Sequence, residues 1–164
     1  MPSLGEIRIR TNLIPGDLGY LIYLHGTCYG KEHGYGIEFE MYVAEGFSEF
    51  FRQYDGMRDC VWLCEHNNKI VGSLVLMHRP NDTAQLRYFL LEPPYRGSGI
   101  GKELMRLGME FMDLKGYKTS YLWTTSDLST AASLYKRHGY ALTQEKETTS
   151  FGKKVIEQRY DLVR

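Results

Sequence analysis

The chain has 164 residues, 43% of them apolar, and its 20 Lys and Arg balance its 20 Asp and Glu to a formal net charge of zero. That length suits one domain, 1–164, with a substantial core, and the charge balance argues against direct contact with nucleic acid. No apolar stretch reaches the ~18 residues that cross a bilayer, and no basic-then-apolar leader opens the chain, so the expectation is a cytoplasmic protein without membrane contact.

The elements follow in chain order. Glu6 to Thr11 alternates, with Ile7 and Ile9 on one face, and reads as a strand. Pro15-Gly16-Asp17 opens a helix that runs to about Tyr29. A second helix covers Glu38 to Tyr54, where Phe39, Tyr42, Val43, Phe47, Phe50 and Phe51 recur at helical spacing. Cys60 to Glu65 and Ile70 to Met77 form a hairpin around Asn67-Asn68. Ala84 to Leu91 is the fourth strand, ended by Pro93-Pro94. A third helix spans Gly99 to Lys115, with Ile100, Leu104, Leu107, Phe111 and Leu114 as its buried stripe and Gly116 as its stop. Ser120 to Thr125 is a strand, and Thr130 to His138 a short helix with Asp127 or Ser129 as N-cap. Tyr140 to Lys146 and Val155 to Leu162 close the chain as strands. The order β-α-α-β-β-β-α-β-α-β-β predicts an α+β fold: a mixed, mostly antiparallel sheet of about seven strands flanked by four helices. Cys28, Cys60 and Cys64 read as buried reduced thiols; no second ligand pair stands at a spacing that would hold a metal.

Between the fourth strand and third helix lies Y-R-G-S-G-I-G-K, Tyr95 to Lys102. Closely spaced glycines let backbone N–H groups approach a ligand, and the helix that follows aims its positive end at the same place, as a pyrophosphate cradle requires. The NTPase phosphate loop fails at both ends, because Arg96 stands where its first glycine belongs and Glu103 follows Lys102. The dinucleotide fingerprint fails because Gly97, Gly99 and Gly101 misplace the third glycine. Arg96, Gly99 and Gly101 satisfy a third pattern, R/Q-x-x-G-x-G/A.

That pattern in its context resembles the acyl-CoA loop of the GNAT N-acetyltransferases. The resemblance spans nearly the whole element order and is densest from Gln85 to Tyr140. F-L-L-E-P-P-Y-R-G-S-G-I-G-K-E-L-M looks like the family's cofactor segment, and A-A-S-L-Y-K-R-H-G-Y like its second signature. H-G-T-C-Y, F-E-M-Y-V-A-E-G and A-Q-L-R-Y-F-L are further similar to the acetyltransferase half of bacterial fusion proteins with a MarR-type helix-turn-helix. This chain starts at once on the acetyltransferase-like part.

The resemblance implies acetyl-CoA as co-substrate and a primary amine as acceptor, joined by direct attack in a ternary complex without a metal. Main-chain groups of Phe89, Leu90 and Leu91 would hold the pantetheine arm. Gly97, Ser98, Gly99, Ile100, Gly101 and Lys102 would wrap the pyrophosphate, and a β-carbon at Gly99 or Gly101 would crowd it. Arg96 either adds charge or braces the loop. Tyr135 would protonate the departing thiolate, and a phenol with a pKa near 10 is protonated at neutral pH. A strand amide would stabilise the oxyanion. No general base is assigned. Gln85, Trp123 and Leu128 stand where relatives carry Glu, Glu and Asn, and Glu92, Glu38 and Glu40 are the remaining candidates. The acceptor site is expected at the first two helices, with Tyr29, Glu38, Tyr42 and Trp123 as contacts. A homodimer is a further expectation. Two rivals stand beside this reading: a non-catalytic acyl-CoA sensor, and an interaction partner of a separate transcription regulator.

Overall fold

A computed structural model describes all residues, Met1–Arg164. It contains seven strands, β1 (Arg8–Arg10), β2 (Cys60–His66), β3 (Lys69–Arg79), β4 (Thr83–Leu91), β5 (Thr119–Thr125), β6 (Ala141–Thr148) and β7 (Val155–Val163). Four helices accompany them, α1 (Asp17–His33), α2 (Ile37–Arg52), α3 (Ile100–Lys115) and α4 (Ser129–Arg137). The strands form one sheet in the order β1-β2-β3-β4-β5-β7-β6. Every pairing is antiparallel except β4 with β5. The expected α+β fold and element order are therefore present.

Helices cover both faces of the sheet. Leu21 and Leu24 of α1 and Phe39, Val43, Phe47 and Phe50 of α2 pack on Val61, Leu63, Val75 and Met77. Ile100, Leu104, Met105 and Met112 of α3 and Tyr135 of α4 pack on Trp62, Cys64, Leu74 and Leu76. A strand covered on both sides favours apolar residues on both faces, which explains the run Ile70 to Met77, interrupted only by Gly72 and Ser73. Each fully buried Leu or Phe stabilises the fold by roughly 1.5–3 kcal/mol. Cys60 and Cys64 share the α3 face, the former half-buried and the latter fully buried.

The boundaries differ from expectation in instructive places. Helix α1 continues past Tyr29 to His33, because Gly30 lies inside it and Gly34, at φ 69°, supplies the left-handed stop. Strand β1 shrinks to three residues, since Leu4–Glu6 forms a 3₁₀ turn held by Ser3 and Glu6. Neither Asp127 nor Ser129 caps α4: Leu128 occupies the N-cap without a side-chain bond, and the Asp127 carboxylate instead accepts from Thr125 and Tyr35.

Candidate functional site

The site is built where two parallel strands part. β4 and β5 pair only from Thr83 with Thr119 to Leu86 with Leu122. Past that point β4 continues to Leu91 paired only with β3, and its edge toward β5 has no strand to bond. Phe89 and Leu90 of the expected pantetheine-binding stretch lie on this free edge. Leu91 lies there too, but its carbonyl accepts a 2.9 Å bond from Arg96 Nε.

β4 also carries a bulge. Ser73 of β3 faces Leu90 and Val75 faces Arg87, so Tyr88 and Phe89 together oppose Leu74. Tyr88 adopts φ 54°, a left-handed conformation that costs a bulky residue about 1–2 kcal/mol. Ser73 Oγ secures it by donating a 2.6 Å bond to the Tyr88 carbonyl. The phase of the strand slips there. Ala84 and Leu86 face α3, whereas Tyr88 and Leu90 join the α1–α2 core. Arg87 and Tyr88 therefore point to the same side, with the Arg87 guanidinium 4.8 Å from the Tyr88 ring centroid.

The glycine loop sits at the free end of β4. Gly97 and Gly99 adopt φ 75° and 90°, and Gly99 is the N-cap of α3. A β-carbon at Gly99 would meet nothing within 4 Å, so the loop leaves open space in front of the helix N-terminus. Gly101 departs from the expectation. Its β-carbon would point into the packing of α3 on β4 and α4, at an ordinary contact distance of 3.4 to 3.7 Å from Phe89, Leu91 and Leu134, and not into the open space before the helix. Arg96 resolves as a brace. Its guanidinium donates to both Glu32 oxygens at 2.5 and 2.8 Å and to Leu91, fixing the loop to α1 and to the end of β4. Ser98 Oγ donates inward, to the Tyr95 carbonyl at 2.7 Å. Ile100 is fully buried in the core, so only its main chain can serve a ligand. Lys102 is exposed and shares a surface depression with Gly99, Arg106 and Arg137.

Across the gap, a cavity of about 120 Å³ is lined by both diverging strands, by α1, α2 and α4, and by Phe151 and Glu157. Tyr135 reaches it from α4. Its ring lies edge-on to Phe89, centroids 6.1 Å apart, and its hydroxyl has no hydrogen-bond partner in the chain. Burial raises the Tyr135 phenol well above the usual tyrosine range, so it holds its proton. Tyr29, Tyr42 and Trp123, three of the expected acceptor contacts, also line the cavity. Burial lifts the Tyr29 phenol to about 12.

Glu38 does not line the cavity. It is exposed, and its carboxylate lies against Gly36 and Gly152. Glu40 is likewise turned away, with its carboxylate against Gly26 of α1. Helical phase explains both, since the face of α2 that reaches the cavity carries Phe39, Tyr42 and Val43. Glu92 lies outside it as well. The carboxylate that does line the cavity is Glu157 of β7, with a side chain 13% exposed. Sequence reasoning missed it because Glu157 sits in the alternating V-I-E-Q-R-Y-D-L, which reads as an ordinary strand. Only the β5–β7 register, Thr125 opposite Glu157, brings it to the gap. Arg87 of β4 was missed for the same kind of reason and also lines the cavity, as does His25 of α1.

The acetyltransferase (GNAT) family model matches residues 26–140. An uncharacterized N-acetyltransferase of Escherichia coli, YjgM, is 30% identical over 95 residues, which cover 56% of this chain and 57% of that protein. The chain spans about half the length of the curated relatives it matches. An acetyltransferase structure from Streptococcus agalactiae superposes with a TM-score of 0.78 at 22% identity, covering 97% of this chain and 99% of that one. The PaiA N-acetyltransferase of Thermoplasma acidophilum, solved in complex with coenzyme A, superposes with a TM-score of 0.71 at 20% identity, covering 96% and 99%. With its family model matched across both strands of the gap, the glycine loop and α4, this chain belongs to the GNAT acetyltransferase family.

Proposed function

We propose that the protein transfers an acetyl group from acetyl-CoA to a primary amine bound in the cavity between β4, β5 and the first two helices. The observation that carries this reading is the conjunction of three features at the parting of β4 and β5. A left-handed glycine cap opens α3, the free edge of β4 leads away from it, and the Tyr135 hydroxyl stands without a partner where the strands part. Coenzyme A in the structure of a family relative supports the choice of donor.

The residues fit that donor. The open space before Gly99 suits a pyrophosphate, with N–H groups at the start of α3 aimed at it and Lys102, Arg106 and Arg137 nearby as cations. The free β4 edge suits the amide groups of the pantetheine arm, as an added strand would. Acetyl-CoA would supply the acetyl group as an activated thioester. The neutral amine, its ammonium proton left to water, bonds through nitrogen to the acetyl carbon as the carbon–sulfur bond breaks; the thiolate takes the proton held by Tyr135, and the proton the nitrogen sheds as the amide forms restores the phenol. Tyr29, Tyr42, Tyr88 and Trp123 exclude water and orient the amine, and Glu157 attracts its cationic form. Calorimetric titration with acetyl-CoA tests the donor site directly. Saturable binding that is lost in Gly99→Glu is expected, and equal affinity in that variant would put the nucleotide elsewhere.

A further inference from the structure

Arg87 is a cation without a proper partner. Its side chain is only 10% exposed, and it lines the acceptor cavity. A buried guanidinium is costly unless its charge is matched and its five N–H donors are accepted. None of these donors meets an oxygen at hydrogen-bond distance. The Met77 sulfur lies 3.8 Å away and Glu49 Oε2 also 3.8 Å away. Glu49 is half-exposed, and its other oxygen accepts a 2.6 Å bond from Arg79. One carboxylate thus faces two guanidiniums. The Tyr88 and Tyr42 rings lie 4.8 and 6.0 Å from the Arg87 charge, a cation–π attraction that does not replace oxygen acceptors for its N–H groups.

The neighbours of Arg87 extend the pattern. Gln85 is two residues earlier on β4 and lines the same cavity. Its Oε1 accepts from Arg79 Nε at 2.8 Å and from the Tyr121 hydroxyl at 3.1 Å, so its amide NH₂ is left to donate. His25 is 3% exposed, and its Nδ1 must donate to the Leu21 carbonyl at 2.7 Å. That leaves Nε2, which is buried without a partner, as an acceptor. Glu157 lines the cavity from β7, with Lys146 at 3.8 Å as its ion contact. Lys146 and Lys153 are about half-exposed and remain solvated. The cavity therefore combines unfilled anion donors on β4 with acceptors on α1 and β7.

We infer that the acceptor is an amine that also bears a carboxylate, an amino acid or a close analogue, with its carboxylate held by the Arg87 fork and the Gln85 amide. This rests on the acetyl-transfer reading and narrows it. A fork that binds two carboxylate oxygens at once is what a guanidinium supplies and an ammonium does not.

The test compares kcat/KM for α-amino acids with that for the matching amino-acid amides at saturating acetyl-CoA. It uses the wild type, Arg87→Gln and Arg87→Lys, with acetyl-CoA affinity measured by calorimetry in each. The acid-to-amide ratio should fall on the order of 10–100-fold in Arg87→Gln, the loss expected for hydrogen bonds to a charged group. Arg87→Lys should recover part of it. The wild type alone should favour the acid over the amide, which decides the matter if the variants fail to fold. A ratio that is unchanged by substitution, or a wild type that prefers the amide, overturns the carboxylate inference while leaving acetyl transfer intact. No turnover with either series, in a protein that binds acetyl-CoA, sinks acetyl transfer and this inference with it.

Discussion

Gly46 of α2 and Tyr88 of β4 approach so closely that no β-carbon fits between them. A methyl group on Gly46 would collide with the Tyr88 hydroxyl and stand 2.6 Å from an Arg87 nitrogen. Tyr88 is already held at positive φ and stacked on Phe47, ring centroids 3.9 Å apart, so it has little room to yield. Gly46→Ala should therefore destabilise the protein by about 1–3 kcal/mol, the usual penalty for overpacking. It should also raise acceptor KM through displacement of Arg87. Urea melts and steady-state kinetics check both, and a variant as stable as the wild type would mean that α2 can move away from the bulge.

Tyr135→Phe removes one oxygen that makes no hydrogen bond in the chain, so folding stability should hardly change. kcat should fall on the order of 10²–10⁴-fold if the phenol supplies the proton, with acetyl-CoA affinity unaltered. Because burial raises this phenol above its ordinary value, wild-type kcat should show no loss from its ionisation up to pH 10. An undiminished kcat in the variant, with chemistry rate-limiting, removes Tyr135 from the mechanism.

Much of this was legible in the sequence. Helical and strand periodicity located all eleven elements, because both sheet faces are buried and the apolar positions had to follow the structural period. The glycine loop was legible because left-handed backbone at 97 and 99 demands glycine. The cavity where β4 and β5 part was not. Its charged groups, Arg87 and Glu157, come from distant strands and are set by a bulge and a register that no local pattern announces. Glu38 and Glu40 misled because sequence proximity to Tyr42 does not decide which helix face a residue occupies. Segments 25–29, 39–46 and 84–90, distant in sequence, converge in space. They contribute His25, Tyr42, Arg87 and Tyr88 to one cavity.

Gly99 separates backbone strain from ligand binding. At φ 90° an alanine is strained although nothing lies within 4 Å of its β-carbon, so Gly99→Ala should cost about 1–2 kcal/mol of stability. Gly99→Glu adds a negative charge at the helix N-terminus facing the phosphates, and should abolish acetyl-CoA binding in calorimetry while the protein stays folded. A folded glutamate variant that binds normally contradicts the assignment of the loop.

His25 predicts a pH dependence. Burial lowers its pKa to about 4, opposed only by the bond to the Leu21 carbonyl. The unfolded imidazole titrates near 6.5, so between pH 6.5 and 4 the unfolded chain takes up a proton that the folded chain refuses. The stability contributed by a neutral His25 is thus complete above pH 6.5, declines as pH falls toward 4, and changes no further below. The full decline is roughly 3 kcal/mol. His25→Leu should flatten this part of the pH–stability curve relative to wild type. Parallel curves for the two proteins would show that His25 is not buried neutral.

The most direct test of acetyl transfer is thiol release from acetyl-CoA across a panel of amines, with the acetylated product identified by mass spectrometry. Stoichiometric appearance of free CoA and N-acetylated amine, dependent on Tyr135 and saturable in both substrates, is the predicted result. Tight acetyl-CoA binding with thiol release no faster than spontaneous hydrolysis, for every amine offered, would contradict it.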